Sequence, residues 1–132
     1  MQKEVNVKEK YHLSRTEEQI MEKLWQQSQP IKQTELLAMF NEEGKDWGRQ
    51  TLNTLLLRLE ERGFVQREKR KVWAVYDQET FGVQIMEEAA DNYFKGKPHR
   101  LFAAFAEKKL SVEEAEDLQK MIADYIAAQK EK

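Results

Sequence analysis

The sequence predicts a mainly α-helical fold with a small β-element, followed by a C-terminal helical region. Three observations support this prediction. Apolar residues recur at helical spacing before residue 63, β-branched and aromatic residues flank a cluster of cations within 64–76, and helical spacing resumes after residue 77. We expect a flexible N-terminal leader over residues 1–12, a compact domain over residues 13–77 and a helical region over residues 78–132.

The first helix is predicted from its N-terminal cap. Ser14 is followed three residues later by Glu17, which is the pattern of a capping box. The helix is therefore expected from about Arg15 to Gln27. Its buried stripe is expected to contain Ile20, Met21, Leu24 and Trp25.

A short strand and a second helix are expected next. Pro30 favours extended backbone, so the segment 30–32 is expected to add a small strand beside the hairpin described below. The second helix is expected over 33–42, and Gly44 should end the turn after it. Its buried residues are expected to be Leu36, Leu37 and Phe40.

The third helix and the hairpin after it form the most informative stretch. Leu52, Leu55, Leu56 and Leu59 fall on one helical face, and Gly63 suits a left-handed stop after Arg62. Two strands, 64–68 and 72–76, are expected to follow, joined through Lys69, Arg70 and Lys71. Three helices and a two-stranded wing in this order indicate a winged helix-turn-helix.

The polar face of the third helix has the chemistry of base reading. Asn and Gln can pair bidentately with adenine, Thr can bond a base edge or a phosphate, and an exposed Leu57 can contact a thymine methyl group. The cations of the hairpin, with Arg67 just before them, are placed for phosphates. The expected partner is double-stranded DNA.

Charge separates along the chain although the net charge is only -2. Residues 45–71 contain eight Lys and Arg against four Asp and Glu, whereas residues 77–132 contain eight against twelve. This segregation indicates a basic binding face in one part and a different task for the other.

The C-terminal region is expected to form three helices that pair with a second copy of the chain. They span about 79–94, a shorter segment after Pro98, and a last helix that begins with the capping box of Ser111 and Glu114. About 50 residues cannot close a core alone, so a homodimer is expected, with packing onto the first domain as the alternative. The expected dimerisation residues are Phe81, Ile85, Met86, Tyr93, Leu101, Phe102, Phe105, Leu118, Ile122 and Tyr125.

Several functions are not expected from this sequence. It has no long apolar run, no signal-peptide pattern and no Cys, so we expect a cytoplasmic protein without membrane insertion or thiolate metal sites. His12 and His99 lie far apart without partners at ligand spacing, and the glycines do not form a phosphate loop. We therefore expect no metal, no cofactor and no enzymatic activity.

Four segments together resemble a known family. These are LSRTEEQIMEKLW, DWGRQTLNTLLLRLEERGFV with Trp47 before the third helix, KVWAVY and LFAAFAEKKLSVEEAEDL. In order and spacing the chain resembles, from Leu13 to Tyr125, the repressors of the penicillinase and methicillin-resistance systems, the BlaI/MecI/CopY family. The resemblance implies a homodimeric winged-helix transcriptional repressor that binds a palindromic operator.

Site residues follow from this resemblance position by position. The base-reading residues are expected to be Gln50, Thr51, Asn53 and Thr54. The backbone and wing contacts are expected from Arg49, Arg58, Arg67, Lys69, Arg70 and Lys71. The β-lactam repressors carry basic residues where Gln50 and Asn53 stand here, so the readout is expected to shift towards adenine.

The resemblance also implies how repression ends. In the β-lactam branch a membrane-bound sensor protease pathway leads to cleavage at an Asn-Phe bond, and the corresponding pair here is Ala104-Phe105. The copper-responsive branch uses a Cys cluster, which this chain lacks. The alternative function is a winged-helix protein-interaction adaptor without specific DNA binding, motivated by Gln50, Asn53 and the negative net charge.

Overall fold

The computed structural model describes residues 10–132, so residues 1–9 of the predicted leader lie outside the described residues. The elements follow in the order α1 (Arg15–Trp25), β1 (Ile31–Lys32), α2 (Gln33–Glu42), α3 (Arg49–Glu61), β2 (Val65–Glu68), β3 (Lys71–Ala74), α4 (Gln78–Tyr93), α5 (Pro98–Lys109) and α6 (Val112–Lys130). The predicted mainly helical fold with a small sheet is confirmed. Two compact units divide the chain: an N-terminal unit that ends at Glu88 and a C-terminal unit, Ala89–Lys132.

A three-stranded antiparallel sheet joins the wing to the start of α2. Strand β3 lies in the centre, pairing with β2 on one side and with β1 on the other. In this register Ile31 faces Val72 and Lys32 faces Lys71. The predicted small strand beside the hairpin is therefore confirmed, and it brings the N-terminus of α2 next to the hairpin.

The core of the N-terminal unit is formed by the apolar faces of α1, α2 and α3 against the sheet. Three of the four predicted α3 positions, Leu52, Leu56 and Leu59, are buried, and Leu55 packs at the edge of the core. The other buried core residues are Ile20, Met21, Leu24, Ile31, Leu36, Phe40, Phe64, Val65, Val72 and Phe81. Gly63 adopts the left-handed φ of 82°, which ends α3 at the predicted stop.

Arg62, the C-cap of α3, ties three separate segments together. Its Nη1 donates to Glu17 Oε1 at 3.2 Å, and its Nη2 donates to the carbonyls of Lys10, at 2.7 Å, and His12. The guanidinium also lies 4.8 Å from the ring centroid of Phe64. The chain from Lys10 onward is thus held against the domain.

The start of α4 belongs to the N-terminal unit, which corrects two predictions. Phe81 is only 3% exposed and packs its ring against those of Tyr11, Trp25 and Phe64, with centroids 5.1–5.6 Å away. It was predicted to contact a second copy, but it is a core residue of its own chain. The same packing moves the division between the compact units from the predicted position after residue 77 to the end of Glu88.

Asp77 caps the N-terminus of α4. Its Oδ1 accepts a hydrogen bond of 2.7 Å from the backbone N–H of Thr80. Hydrogen bonds from the side chain and backbone of Thr80 hold the pKa of the Asp77 carboxyl below its usual value. The carboxylate form is therefore the one that stabilises this helix start.

The C-terminal unit leaves most of its apolar side chains exposed. Helix α6 begins at the predicted capping box, where Ser111 Oγ accepts from Glu114 N at 3.1 Å, and has no buried residue. Ala90 and Leu101 are buried, so Leu101 is a second predicted dimerisation residue that its own chain already covers. Among residues 10–132, no helix is both long and apolar enough to cross a membrane.

Candidate nucleic-acid interface

Trp47 and Asn41 fix the point at which α3 begins. The Trp47 ring packs against Phe40 with centroids 4.8 Å apart. The Asn41 side chain accepts from the backbone N–H of Trp47 at 2.9 Å and donates to its carbonyl at 3.0 Å. These contacts hold the loop between α2 and α3 and set the direction in which α3 leaves it.

The face of α3 opposite the core is exposed and polar. All four predicted base-reading residues lie on the solvent-accessible side of the helix: Gln50, Thr51, Asn53 and Thr54. Arg49 and Arg58 are exposed on the same helix, and Leu57 is 42% exposed. The structure thus brings these predicted residues together on one helix, as major-groove reading requires.

The wing turn has an unusual backbone that projects its cations. Lys69 and Arg70 both have a positive φ, 52° and 68°, between the paired residues Glu68 and Lys71. A two-residue hairpin needs this left-handed conformation, which Asn and Gly adopt far more easily than Lys and Arg. Lys69 and Arg70 are therefore disfavoured in this turn, and the backbone is strained where these two exposed positive charges stand.

An open groove of about 890 Å³ connects α3, the start of α2 and the wing. Four cations line it, together with polar side chains and two leucines: Lys32, Arg49, Lys69, Arg70, Gln33, Thr34, Gln50, Asn53, Leu37 and Leu52. None of the residues within 10–132 that line this groove is acidic. It is therefore a positively charged surface continuous with the polar face of α3.

Helix α2 also contributes to this groove, which was not predicted from the sequence. The backbone N–H of Gln33 donates to the Arg70 carbonyl at 3.0 Å, which places the wing turn beside the first turn of α2. Lys32, the N-cap residue of α2, makes no side-chain cap, so the helix presents its positive dipole end and backbone N–H groups there. The only sequence signal was a Lys directly before a predicted helix.

Arg67 pairs with two residues of α3. Its Nη2 and Nε both donate to Glu60 Oε1, at 2.8 and 3.1 Å, and its Nη1 donates to Asn53 Oδ1 at 2.8 Å. The side chain is only 17% exposed and lies along α3 rather than beside the other wing cations. Glu60 therefore neutralises the charge of Arg67, and the predicted phosphate contact of Arg67 stays a prediction.

Most of the predicted dimerisation residues are exposed. Phe81 and Leu101 are buried and Leu118 is half-buried, whereas Ile85, Met86, Tyr93, Phe102, Phe105, Ile122 and Tyr125 are between 36% and 80% exposed. Ile126, 45% exposed, lies on the same apolar side of α6, and Met121, 67% exposed, extends this surface although the sequence did not predict it. Ala104 and Phe105, the predicted cleavage pair, lie within α5.

The fold and this groove define a winged-helix DNA-binding protein. The family model described as penicillinase repressor matches residues 13–124 of the 132-residue chain. The chain belongs to this family, which is a family of DNA-binding transcriptional repressors and not a class of enzymes. No curated protein compared with the chain matches it.

Proposed function

We propose that this repressor acts in the cytoplasm as a homodimer, with sequence specificity, on a palindromic operator. The observation that carries the proposal is the groove in which α2, α3 and the wing combine four cations with the polar face of α3. Phosphates on either side of a major groove would meet Lys32 and Arg49 and the wing pair Lys69 and Arg70. In this position, Gln50, Thr51, Asn53 and Thr54 face the base edges.

The exposed apolar surface of the C-terminal unit supports the homodimer. Tyr93, Met121 and Tyr125 are each at least 64% exposed, and a chain that remained single would leave them in water. Each Å² of apolar surface that is removed from water contributes about 25 cal/mol, and this favours pairing of two such units. A two-fold axis would then set the two recognition helices about one or two turns of DNA apart.

The salt dependence of binding to duplex DNA tests the interface. Four groove cations in each of two protomers imply eight phosphate contacts, which contribute about -7 to the slope of log K against log salt. The double variant Lys69→Ala/Arg70→Ala should reduce the magnitude of this slope by about 4. Lys108→Ala/Lys109→Ala removes the same charge from exposed positions on α5 and should leave the slope nearly unchanged.

Two results would contradict this part of the proposal. An equal change of slope in both double variants would mean that only overall charge matters. Absence of binding at low salt would favour the protein-interaction adaptor, because an adaptor neutralises no phosphates.

Sedimentation of the purified chain tests the homodimer. Ile122→Glu introduces a charge into the apolar surface of α6, where Ile122 is 49% exposed, and should convert dimers to monomers. Gln119→Glu adds the same charge at an exposed polar position of the same helix and should leave the dimer intact. A wild-type monomer at tens of micromolar would reject the homodimer.

We also propose that cleavage of the Ala104-Phe105 bond relieves repression. The Ala104-Phe105 bond lies inside α5, so a protease of a membrane sensor pathway would have to open that helix locally before cutting it. The intact mass of the repressor isolated from cells grown with and without a β-lactam tests this. A fragment ending near Ala104 is expected on induction, and an intact chain in derepressed cells would reject cleavage at this site.

A further inference from the structure

A hydrogen-bonded chain joins the wing to the base-reading face. Asn53 and Glu60 are seven residues apart on α3, so they lie two turns apart on nearly the same face of the helix. Arg67, on β2, spans both turns: it binds Glu60 through Nε and Nη2 and Asn53 through Nη1. The planar guanidinium fixes the two partners at a defined separation.

The chemistry of the contact determines how the Asn53 amide is turned. Arginine has only donors, so the amide atom 2.8 Å from Nη1 must be the carbonyl oxygen Oδ1. Arg67 thus occupies one of the two lone pairs of Oδ1, whereas both N–H donors of Nδ2 remain for a second partner. This orientation follows from the donor alone, whereas an isolated Asn could present either arm.

A side chain that offers mainly an N–H donor reads a different base from a freely rotating Asn. Bidentate pairing with adenine needs Oδ1 to accept from N6 while Nδ2 donates to N7. Guanine presents two acceptors, N7 and O6, on the same edge, so it matches an amide whose oxygen is held by a charged donor.

We infer that Arg67 is a positioning residue that turns Asn53 towards guanine at one position of each operator half-site. Glu60 holds Arg67 in this role, and Arg67 does not act as a phosphate contact. The inference rests on the proposed function, because it concerns which base the recognition helix reads. It replaces, at Asn53, the adenine preference expected from the residue type alone.

The burial and charge of Arg67 favour positioning over phosphate binding. The Arg67 side chain is 17% exposed, and Glu60, its ion-pair partner, is 35% exposed. A phosphate would have to compete with Glu60, which already neutralises the charge of Arg67. Lys69 and Arg70, by contrast, are exposed at the groove and make no ion pair among the described residues.

Affinities for a panel of duplexes test this inference. The panel varies each position of the selected half-site through all four bases, and the Asn53 position is the one whose preference disappears in Asn53→Ala. Wild-type protein should prefer guanine to adenine there. Arg67→Lys keeps the charge but loses the fork that bridges two partners, so the guanine-to-adenine ratio should fall by roughly 5-fold or more.

Arg58→Ala is the matched control, because it removes an exposed cation from the same helix. This variant should weaken binding to every duplex by the same factor. It should also reduce the magnitude of the salt slope by about 1 per protomer, as loss of a phosphate contact does. Circular dichroism confirms that each variant is folded.

The possible outcomes separate the inference from the proposed function. A preference for adenine at the Asn53 position overturns the inference, and so does a uniform loss of affinity in Arg67→Lys with the base ratio unchanged. In either case the sequence-specific repressor stands. If wild-type protein prefers no sequence at all, the proposed function fails and the inference falls with it.

Discussion

Replacing Phe81 by alanine measures how far the DNA-binding unit extends into α4. The ring is 3% exposed and contacts three other aromatic rings, so its removal leaves a cavity that the rigid neighbours cannot fill. We expect the free energy of unfolding to fall by about 3–5 kcal/mol. Taking a urea m value of about 1.5 kcal/mol/M, the unfolding midpoint falls by about 2 M or more.

Tryptophan fluorescence reports this loss directly, because Trp25, Trp47 and Trp73 all lie in the N-terminal unit. Val83→Ala is the control: Val83 is 55% exposed on the same helix, and its truncation should cost less than about 0.5 kcal/mol. Measurements at two protein concentrations separate a core residue from an interface residue. A loss below about 1 kcal/mol for Phe81→Ala, together with a weaker dimer, would refute the placement of Phe81 in the core.

Three further predictions concern single contacts. Arg62→Met should lower the free energy of unfolding in urea by about 1–3 kcal/mol, because Glu17 and two carbonyls lose their donor; an unchanged midpoint would contradict this role. Arg70→Gly should stabilise the turn by about 1 kcal/mol in thermal melting while weakening binding to all duplexes, and equal affinity would remove Arg70 from the interface. Asp77 stabilises α4 as a carboxylate with a lowered pKa, so its contribution is present above pH 3.8 and lost as the pH falls through the folded pKa. In acid titrations followed by circular dichroism, Asp77→Asn should lose less helix over this range than wild type, and identical curves would exclude the cap.

Local sequence signals predicted the helix starts and the winged-helix order well. Side-chain capping needs only residues three apart, so Ser14 and Ser111 identified the starts of α1 and α6 directly. Periodicity identified the buried face of α3, since three of its leucines are fully covered. These predictions succeeded because each depends on neighbours within one element.

The sequence could not show the surroundings of residues whose environment is set by distant segments. Phe81 falls on an apolar stripe that suits either a core or an interface, and only the aromatic rings supplied by Tyr11, Trp25 and Phe64 decide between them. Arg67 belongs to a basic stretch of the sequence, but in the structure it forms an ion pair with Glu60, which lies on α3 while Arg67 lies on β2. Charge patterns along a chain cannot distinguish a paired cation from an exposed one.

The backbone conformation of the two-residue wing turn could also not be predicted from the sequence. Lys69 and Arg70 adopt the left-handed conformation, which in such turns is usually adopted by Asn and Gly. The strain is consistent with a functional site, because strained backbone persists where a required side chain outweighs local preference. The groove that the turn completes also depends on β1 pairing with β3, which no local pattern near Lys32 indicates.

Selection of bound duplexes from a randomised library, at moderate salt and with the full chain, tests the central claim most directly. A homodimeric repressor with this interface should recover an inverted repeat whose half-sites lie about 10 or 21 base pairs apart, centre to centre. The Lys69→Ala/Arg70→Ala variant should recover the same sequence with lower yield, because these residues contact the backbone and not the bases. Recovery of no sequence above background by the wild-type chain would contradict the account of a sequence-specific, dimeric DNA-binding repressor.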